Sequence, residues 1–192
     1  LYLGYYFGNQ KYVLDSAALQ PNGEAVFTGA EKLTGGLYLI VDPKKSIFFD
    51  ILIDKEQAFA VAIDTANFTP ISIKGSQENN FLVAYKSASA FYYRNYQQQQ
   101  TALAAAKTKQ DSTVLLSRMN EANENMQRWR DSFVLQQPES YLSLLFRLLK
   151  EPVYNIAGAK TKQDTLAAFY KYKNEFWKGV SIADERLLRT PM

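Results

Sequence analysis

The sequence of 192 residues contains no cysteine and no histidine. Without cysteine there is no disulfide, no thiolate nucleophile and no thiolate metal site. Without histidine, the commonest general base and the commonest transition-metal ligand are missing. A serine–histidine triad is therefore excluded, and we expect no catalytic residue, no cofactor site and no metal site in this chain.

Long apolar runs and an excess of one charge are also missing. No run approaches the roughly 18 apolar residues that span a bilayer, and no signal peptide is present, so we predict no transmembrane segment. The formal net charge is +3, and Lys and Arg are dispersed, which argues against nucleic-acid binding. The chain begins at Leu1 inside an alternating apolar run, so we expect a mature fragment whose export signal has been removed.

The sequence is rich in apolar and aromatic residues, which make up 47% and 14% of it and exclude a disordered tail. Its first 75 residues read as short apolar runs separated by turn signals such as Gly8–Asn9 and Asp42–Pro43. We predict about seven strands, over residues 1–7, 11–17, 24–28, 37–41, 46–53, 58–63 and 71–74. Because no connection is long enough for a crossover helix, the pattern predicts an antiparallel β-sandwich or a partly open barrel.

Helical periodicity begins after Gly75. Ser76 is the predicted N-cap of a first helix and Asp111 that of a second. The second helix carries apolar residues at alternating steps of four and three, which is typical of a packing face: Leu115, Met119, Ala122, Met126, Trp129 and Phe133. We predict that the two helices form an antiparallel pair joined near residues 107–111.

Two further helices are predicted after this pair. Pro138 is the expected first residue of a third helix over 139–150, and Thr161 with Asp164 forms a capping box for a fourth. The predicted fold class is therefore segregated α+β. We expect a β-sandwich-like domain over residues 1–75 and an all-helical domain over 76–192.

Two groups of side chains could carry chemistry. Acidic residues at predicted strand ends could act as glycosidase carboxylates or calcium ligands, but Asp also favours turns, which is the interpretation we prefer; they are Asp15, Asp42, Asp50, Asp54 and Asp64. A set of tyrosines could form an aromatic ligand platform, although packing between strands explains them as well; they are Tyr2, Tyr5, Tyr6, Tyr12 and Tyr38.

Two stretches resemble known domains. Residues 11–17, Gly23-x-x-x-Phe27, Gly35-Gly36-Leu37-Tyr38 and Gly75-Ser76-x-Glu78-Asn79 resemble the N-terminal domain of unknown function in TlpA-like thioredoxin-fold thiol–disulfide oxidoreductases of Bacteroidetes. Phe176-Trp177 and the element Arg186-Leu187-Leu188-Arg189-Thr190-Pro191 resemble the helical domain of unknown function that follows it in those proteins.

The resemblance implies an accessory role for this chain. Members are exported and often lipid-anchored, so the implied location is the periplasm or the outer membrane. Their redox chemistry belongs to a Cys-x-x-Cys motif on a later thioredoxin domain, which implies that the helical region and the reactive thiols continue beyond Met192. The implied partners are that domain or another periplasmic protein.

The residues that match the motifs are implied to be structural. Gly23 and Gly36 are expected in turns, and Ser76 and Asn79 at the joint between strand and helix. The other matching residues are Asp15, Ser16, Gly75, Arg186, Leu187, Leu188, Arg189, Thr190 and Pro191.

Three short segments of the pattern Asp, hydroxyl residue, aliphatic residue resemble an O-glycosylation acceptor of exported Bacteroidetes proteins. Their acceptor residues are Ser16, Thr65 and Thr165. The sequence thus leads to two functional hypotheses, which are a non-catalytic interaction module and a periplasmic module that binds a carbohydrate or other small molecule on an aromatic β face.

Overall fold

The structure, a computed structural model, describes residues 1–44, 47–64, 66 and 69–191. Its N-terminal part contains antiparallel strands in two sheets. A four-stranded sheet has the order β2-β1-β3-β4, and a separate hairpin pairs β5 with β6. The strands are β1 (Tyr2–Phe7), β2 (Gln10–Ser16), β3 (Gly36–Val41), β4 (Ile47–Ile53), β5 (Ala60–Asp64) and β6 (Thr69–Lys74).

The strand predicted over residues 24–28 is wrong. These residues, all within the described part of the chain, form no strand. The backbone turns there instead, since the Gln20 amide donates to the Glu24 carbonyl at 2.8 Å. Both neighbours of β1 in the sheet are other strands, β2 and β3. Phe27 still contributes to the core by packing against the buried face of the sheet.

Four α-helices and a short 3-10 helix follow the strands: α1 (Gln77–Ala104), α2 (Lys109–Gln136), α3 (Tyr141–Leu148), α4 (Lys162–Phe176) and the 3-10 helix Glu185–Arg189. The antiparallel pairing of the first two is confirmed. Phe81 near the start of α1 contacts Phe133 near the end of α2, with ring centroids 5.0 Å apart. The predicted packing face of α2 is confirmed as well, because Met119, Ala122 and Met126 are buried.

Two of the helix starts differ from prediction. The N-cap of α2 is Thr108, whose hydroxyl accepts from the Asp111 amide at 3.0 Å. Asp111 lies in the first turn, where its carboxylate accepts a hydrogen bond from the Thr108 hydroxyl at 2.7 Å and favours the helix N-terminus. Likewise α3 begins after Ser140, its N-cap, and Pro138 lies in the preceding turn. The predicted N-cap Ser76 and the capping box of Thr161 with Asp164 are confirmed.

Both faces of the four-stranded sheet contribute to buried clusters, since successive residues in a strand point to opposite sides, although the edge strand β2 is mostly exposed. One face carries a buried cluster that the loop before β3 covers with Phe27 and Leu33; the cluster is Leu3, Tyr38, Ile40, Ile51 and Ile53. The opposite face packs against the helices through Leu52 of β4; its buried neighbours are Leu82, Tyr141, Leu142, Leu144 and Phe146.

The segregated α+β class is confirmed: antiparallel strands come first and helices follow, and neither sheet closes into a barrel within the described residues. The division into domains at residue 75 stays a prediction. The two parts share the core around Leu52, and the 3-10 helix returns to contact β1 and β3. This return creates the junction described next.

Candidate functional site

The junction is the place where the last residues of the chain contact the sheet and the helices. We call residues 184–190 the C-terminal strap. The strap crosses the end of the sheet at which β3 begins, and two adjacent glycines make room for it. A Cβ on Gly36 would lie 2.0 Å from the Arg189 Cβ, and one on Gly35 would lie 2.8 Å from the Arg186 Cγ. Glycine is therefore required at these positions for close approach between chain segments.

Arg186 forms the charged part of the junction. Its guanidinium donates to the Asp54 carboxylate at 3.1 Å and to the Asp184 carboxylate at 2.7 Å. Charge-assisted hydrogen bonds of this kind are stronger than neutral ones. The side-chain hydrogen bond from Arg186 holds the pKa of Asp184 below its usual value of 3.8. The hydrogen bond to Asp184 likewise raises the pKa of Arg186. Asp54 follows β4, so this ion pair connects the strap to the sheet.

Arg189 forms the aromatic part of the junction. Its guanidinium carbon lies 3.6 Å from the centroid of the Tyr5 ring, a cation–π contact. Tyr5 in turn stacks on Tyr12 at 5.6 Å and contacts Tyr38 at 6.5 Å. One nitrogen of Arg189, Nη1, is buried and forms no hydrogen bond within the described residues. The Tyr5 ring therefore compensates part of the cost of burying this cation.

Tyr141 connects the strap to α3. Its side chain is fully buried, and its hydroxyl lies 2.7 Å from the hydroxyl of Thr190, which is also buried. The Thr190 hydroxyl donates to the Arg186 carbonyl at 3.0 Å, so Tyr141 must donate to Thr190. Burial raises the pKa of Tyr141 to about 12. The phenol thus stays neutral and available as a donor at physiological pH.

A second set of contacts lies where the sheet meets α1. The amide side chain of Asn79 accepts from the Leu52 amide at 2.8 Å and donates to the Leu52 carbonyl at 2.7 Å. It also donates to the Ser76 hydroxyl at 2.8 Å. Asn79 and Ser76 are both buried. The turn before them needs a left-handed residue, and Gly75 supplies it with φ of 82°. Asn79 therefore acts as an extra pairing partner for β4.

Glu78, the neighbour of Asn79, caps the N-terminus of α3, although it lies 63 positions before Tyr141 in the chain. Its carboxylate accepts from the Ser140 hydroxyl at 2.9 Å and from the Tyr141 amide at 3.0 Å. A carboxylate at a helix N-terminus satisfies free amides and interacts favourably with the helix dipole. The first turn of α1 consequently fixes both the sheet, through Asn79, and α3, through Glu78.

The junction offers little to a substrate. A cavity of about 10 Å³ lies between β4, β5, β6 and α1 and reaches Asn79, which is room for one water at most. An open depression of about 530 Å³ lies at the far tip of the α1–α2 pair, beside Lys107 and Arg118. Within the described part of the chain, no three acidic residues group closely enough to hold a metal ion. The junction is built to hold chain segments together.

The acidic residues named from sequence do not come together. Asp54 binds Arg186 and Asp50 binds Lys86, Asp15 accepts from the next amide, that of Ser16, and Asp64 accepts from the Ala66 amide. These contacts are in accord with the turn and edge interpretation. Among the tyrosines, Tyr5, Tyr12 and Tyr38 do form one cluster, whereas Tyr2 and Tyr6 lie on the opposite sheet face from Tyr5 by strand alternation. Because Arg189 covers Tyr5, ligand binding at this cluster stays a prediction.

The remaining motif residues have varied surroundings. Gly23 lies in a turn with φ of 85°, as expected. The turn predicted at Gly36 is wrong, since Gly36 begins β3 and its lack of a side chain admits Arg189. In the strap, Leu187 packs against the helix-side core and Leu188 is exposed, as is Pro191, which follows the strap. Of the glycosylation acceptors, Ser16 and Thr165 are exposed and Thr65 lies outside the described residues.

Sequence reasoning missed the roles of Tyr141, Glu78 and Asp54. Tyr141 lies in the predicted third helix without an assigned role, Glu78 is one residue of the motif Gly75-Ser76-x-Glu78-Asn79, and Asp54 is one of the acidic residues at predicted strand ends. Their partners lie 49, 63 and 132 positions away in the chain. The only local signal was Gly35–Gly36, since consecutive glycines often mark a close approach of backbone segments.

Comparison with known proteins covers only the N-terminal part of the chain. Residues 1–82 match the family described as a domain of unknown function (DUF4369). The match includes every strand and ends inside the first turns of α1. No curated protein and no solved structure matches the chain. Across the described residues, none of the helices combines the length and apolar character needed to cross a membrane. The β-rich part of this chain is thus similar to a domain of unknown function; the association with TlpA-like proteins that the motifs imply stays a prediction.

Proposed function

We propose that this chain is a non-catalytic interaction module of an exported, thioredoxin-like protein of the TlpA type. In this role it positions a thioredoxin-fold redox domain that follows the strap, or it binds a periplasmic partner of that domain. Its place of action is the periplasm or the periplasmic side of the outer membrane. The motif resemblance supports this context, and the match of residues 1–82 to DUF4369 supports only that the β-rich part is similar to a domain of unknown function.

The observation that carries the proposal is the attachment of the strap. Arg186 binds Asp54 after β4, Arg189 lies over Tyr5 of β1, and Thr190 binds Tyr141 of α3. Three independent contacts to three elements hold the strap in one orientation relative to the sheet. A domain joined after the strap would then leave the module in a fixed direction, which is what a positioning role requires.

The direct test is deletion of residues 1–183 from the full-length protein, leaving the strap as linker to the redox domain. We expect the reduction of a small disulfide to keep its rate, because the thiols are intact. Reduction of the natural protein partner should slow at least tenfold, because the module no longer positions or captures it. Stopped-flow kinetics with both substrates measure the two rates.

A point variant gives the matched comparison. Arg189→Gln removes the cation that lies over Tyr5, whereas Arg128→Gln alters an exposed arginine on α2 whose hydrogen-bond partner is Asn125. We expect partner reduction to slow in the first and not in the second. Equal rates for the full-length protein, the deletion and Arg189→Gln would overturn the proposal.

A further inference from the structure

α4 is attached to the rest of the chain by one side only. Within α4 no residue is fully buried. Its inner side, with Ala168, Tyr172 and Phe176, is half-buried. Tyr172 contacts the ring of Tyr154 in the preceding loop at 5.7 Å, and its hydroxyl donates to Glu151 at 3.2 Å. Phe169, at the border of the outer side, also contacts the Tyr154 ring at 6.4 Å, and the rest of that side is exposed.

The outer side of α4 carries a regular apolar stripe. Its residues follow one another at steps of three, one, three and four; the first four lie on one face of α4, and Trp177, the C-cap residue, continues their spacing; they are Leu166, Phe169, Tyr170, Lys173 and Trp177. We call this set the outer stripe. Its four apolar side chains are 43% to 55% exposed. In the loop beside it, Val153 and Ile156 are exposed as well, so the apolar surface continues past the helix.

The net charge of the chain is concentrated around this stripe. Residues 149–182 contain six Lys, no Arg and three acidic residues, which leaves 16 basic and 16 acidic residues in the rest of the chain. The segment therefore carries the whole formal charge of +3. One of its lysines, Lys173, lies within the stripe, with its ammonium 5.5 Å from the centroid of the Phe169 ring. Exposed aromatic rings and ammonium groups are thus interleaved on one surface.

We propose that the outer stripe of α4 binds the surface of an anionic lipid bilayer. Trp and Tyr side chains favour the boundary between headgroups and acyl chains, because their rings are apolar and their tips are polar. Lysine reaches from that depth to lipid phosphates through its long aliphatic stem. An interfacial helix needs this combination of aromatic and lysine residues, and α4 with its 15 residues lies along the surface.

Other occupants fit the surface less well. A second copy of the chain would bring two positively charged segments together across a symmetric contact, which is repulsive. Protein interfaces are depleted in Lys and enriched in Arg, whereas this segment contains six Lys and no Arg. An anionic bilayer is complementary to both the charge and the aromatic rings.

The test is flotation of the 192-residue chain with lipid vesicles. We expect binding to vesicles that contain phosphatidylglycerol, weak binding to pure phosphatidylcholine, and loss of binding at high salt, because exposed charges are screened. The variant Lys162→Gln with Lys173→Gln, two exposed lysines on the stripe face of α4, should bind about 25-fold more weakly, from about fivefold for each lysine near an anionic surface. The control pair Lys107→Gln with Lys109→Gln, exposed at the far tip of the α1–α2 pair, should bind as the parent does.

An aromatic pair tests the apolar part of the proposal. Tyr170→Ser with Trp177→Ser should weaken binding about tenfold or more, since each ring loses the apolar area that it would bury. Phe91→Ser with Tyr93→Ser, equally exposed on α1, is the matched control. In a Trp129→Phe background, the fluorescence of Trp177 should shift to the blue when anionic vesicles are added.

Clear outcomes contradict the proposal. The proposal would be overturned if the chain did not bind anionic vesicles, or if the affinity were unchanged in both variant pairs. An unchanged fluorescence spectrum of Trp177 would also overturn it. Salt-sensitive capture by an acidic protein without binding to vesicles would also overturn it and would make the stripe a protein interface. Circular dichroism of each variant establishes that the helices are intact before binding is compared.

Discussion

The junction and α4 both follow the sheet in sequence, but they use their side chains in opposite ways. At the junction, and at the neighbouring contact between the sheet and α1, the side chains of Tyr141, Thr190 and Asn79 are buried, and each forms a hydrogen bond with a residue distant in the chain. On α4 no residue is fully buried, and the aromatic rings of the outer stripe are half exposed. The polar groups of the first region form hydrogen bonds between chain segments, whereas the outer stripe of α4 is exposed to solvent.

This difference separates stability from binding. Substitutions at the junction remove contacts that no other residue replaces, so they should lower the free energy of unfolding. Substitutions in the outer stripe remove contacts that the folded chain does not need. We therefore compare the stability of matched variants, one in a buried contact and one at an exposed position. The difference between them tests whether stability and binding depend on separate regions.

Among the polar contacts that join segments, replacement of Asn79 should have the largest effect. Asn79→Ala leaves the amide and the carbonyl of Leu52 without their partner in a buried position, and each unsatisfied group costs about 1–3 kcal/mol. We expect a loss of about 3 kcal/mol in the free energy of unfolding, measured by urea denaturation. Asn80→Ala is the control, because Asn80 is exposed and bonds only to Ser76 of its own helix turn; it should change stability by less than about 0.5 kcal/mol. Equal losses would mean that the Leu52 contact contributes nothing specific.

Replacement of Gly36 should come next. Gly36→Ala adds a methyl group that would lie 2.0 Å from the Arg189 Cβ and 3.2 Å from the Arg189 carbonyl oxygen. Because the obstacle includes backbone, the strap must move, and overpacking of this kind costs about 1–3 kcal/mol. We expect a loss of about 2 kcal/mol and faster proteolysis at the strap.

Gly29→Ala is the matched control for this substitution. A Cβ there would meet only the Glu31 carbonyl oxygen at 3.7 Å, an ordinary contact, so its stability should stay within about 0.5 kcal/mol of the parent. If Gly36→Ala were as stable as Gly29→Ala, the strap would not be held against the sheet in solution.

Loss of the Tyr141 hydroxyl should have a smaller effect. Tyr141→Phe removes the hydrogen bond to Thr190 and keeps the ring in the core, so the expected loss is about 1 kcal/mol. Tyr172→Phe removes an exposed hydrogen bond to Glu151 and should cost less than half as much. Thermal unfolding of both variants gives the comparison. If Tyr141→Phe were as stable as the parent, the hydrogen bond between Tyr141 and Thr190 would not contribute to holding the strap.

Sequence alone predicted the parts of the fold that depend on neighbours in the chain. The packing face of α2, the N-cap Ser76 and the capping box of Thr161 with Asp164 all rest on residues within a few turns of each other. Local signals also placed most strand positions. At residues 24–28 the local apolar pattern predicted a strand that does not form, because a strand also needs a pairing partner, which local signals do not specify.

The junction could not be predicted for the same reason. Arg186 and Asp54 are 132 positions apart, and Tyr141 and Thr190 are 49 positions apart. No periodicity connects residues at such separations, and only the folded topology brings them together. The sequence element Arg186–Pro191 attracted notice through its resemblance to a known domain, but the physical reason for its composition lies in Tyr5, Asp54 and Tyr141.

The outer stripe should show the smallest effect on stability and so completes the comparison. Tyr170→Ser with Trp177→Ser changes two half-exposed rings on a helix that buries no residue fully, so we expect the free energy of unfolding to fall by less than about 0.5 kcal/mol per substitution. Phe146→Ala, in the buried cluster beside α2, should instead cost about 3–5 kcal/mol. Urea denaturation of the two variants measures both values. If the outer pair destabilised the chain as much as Phe146→Ala, these rings would be part of the core, and their exposure could no longer be explained by a binding role.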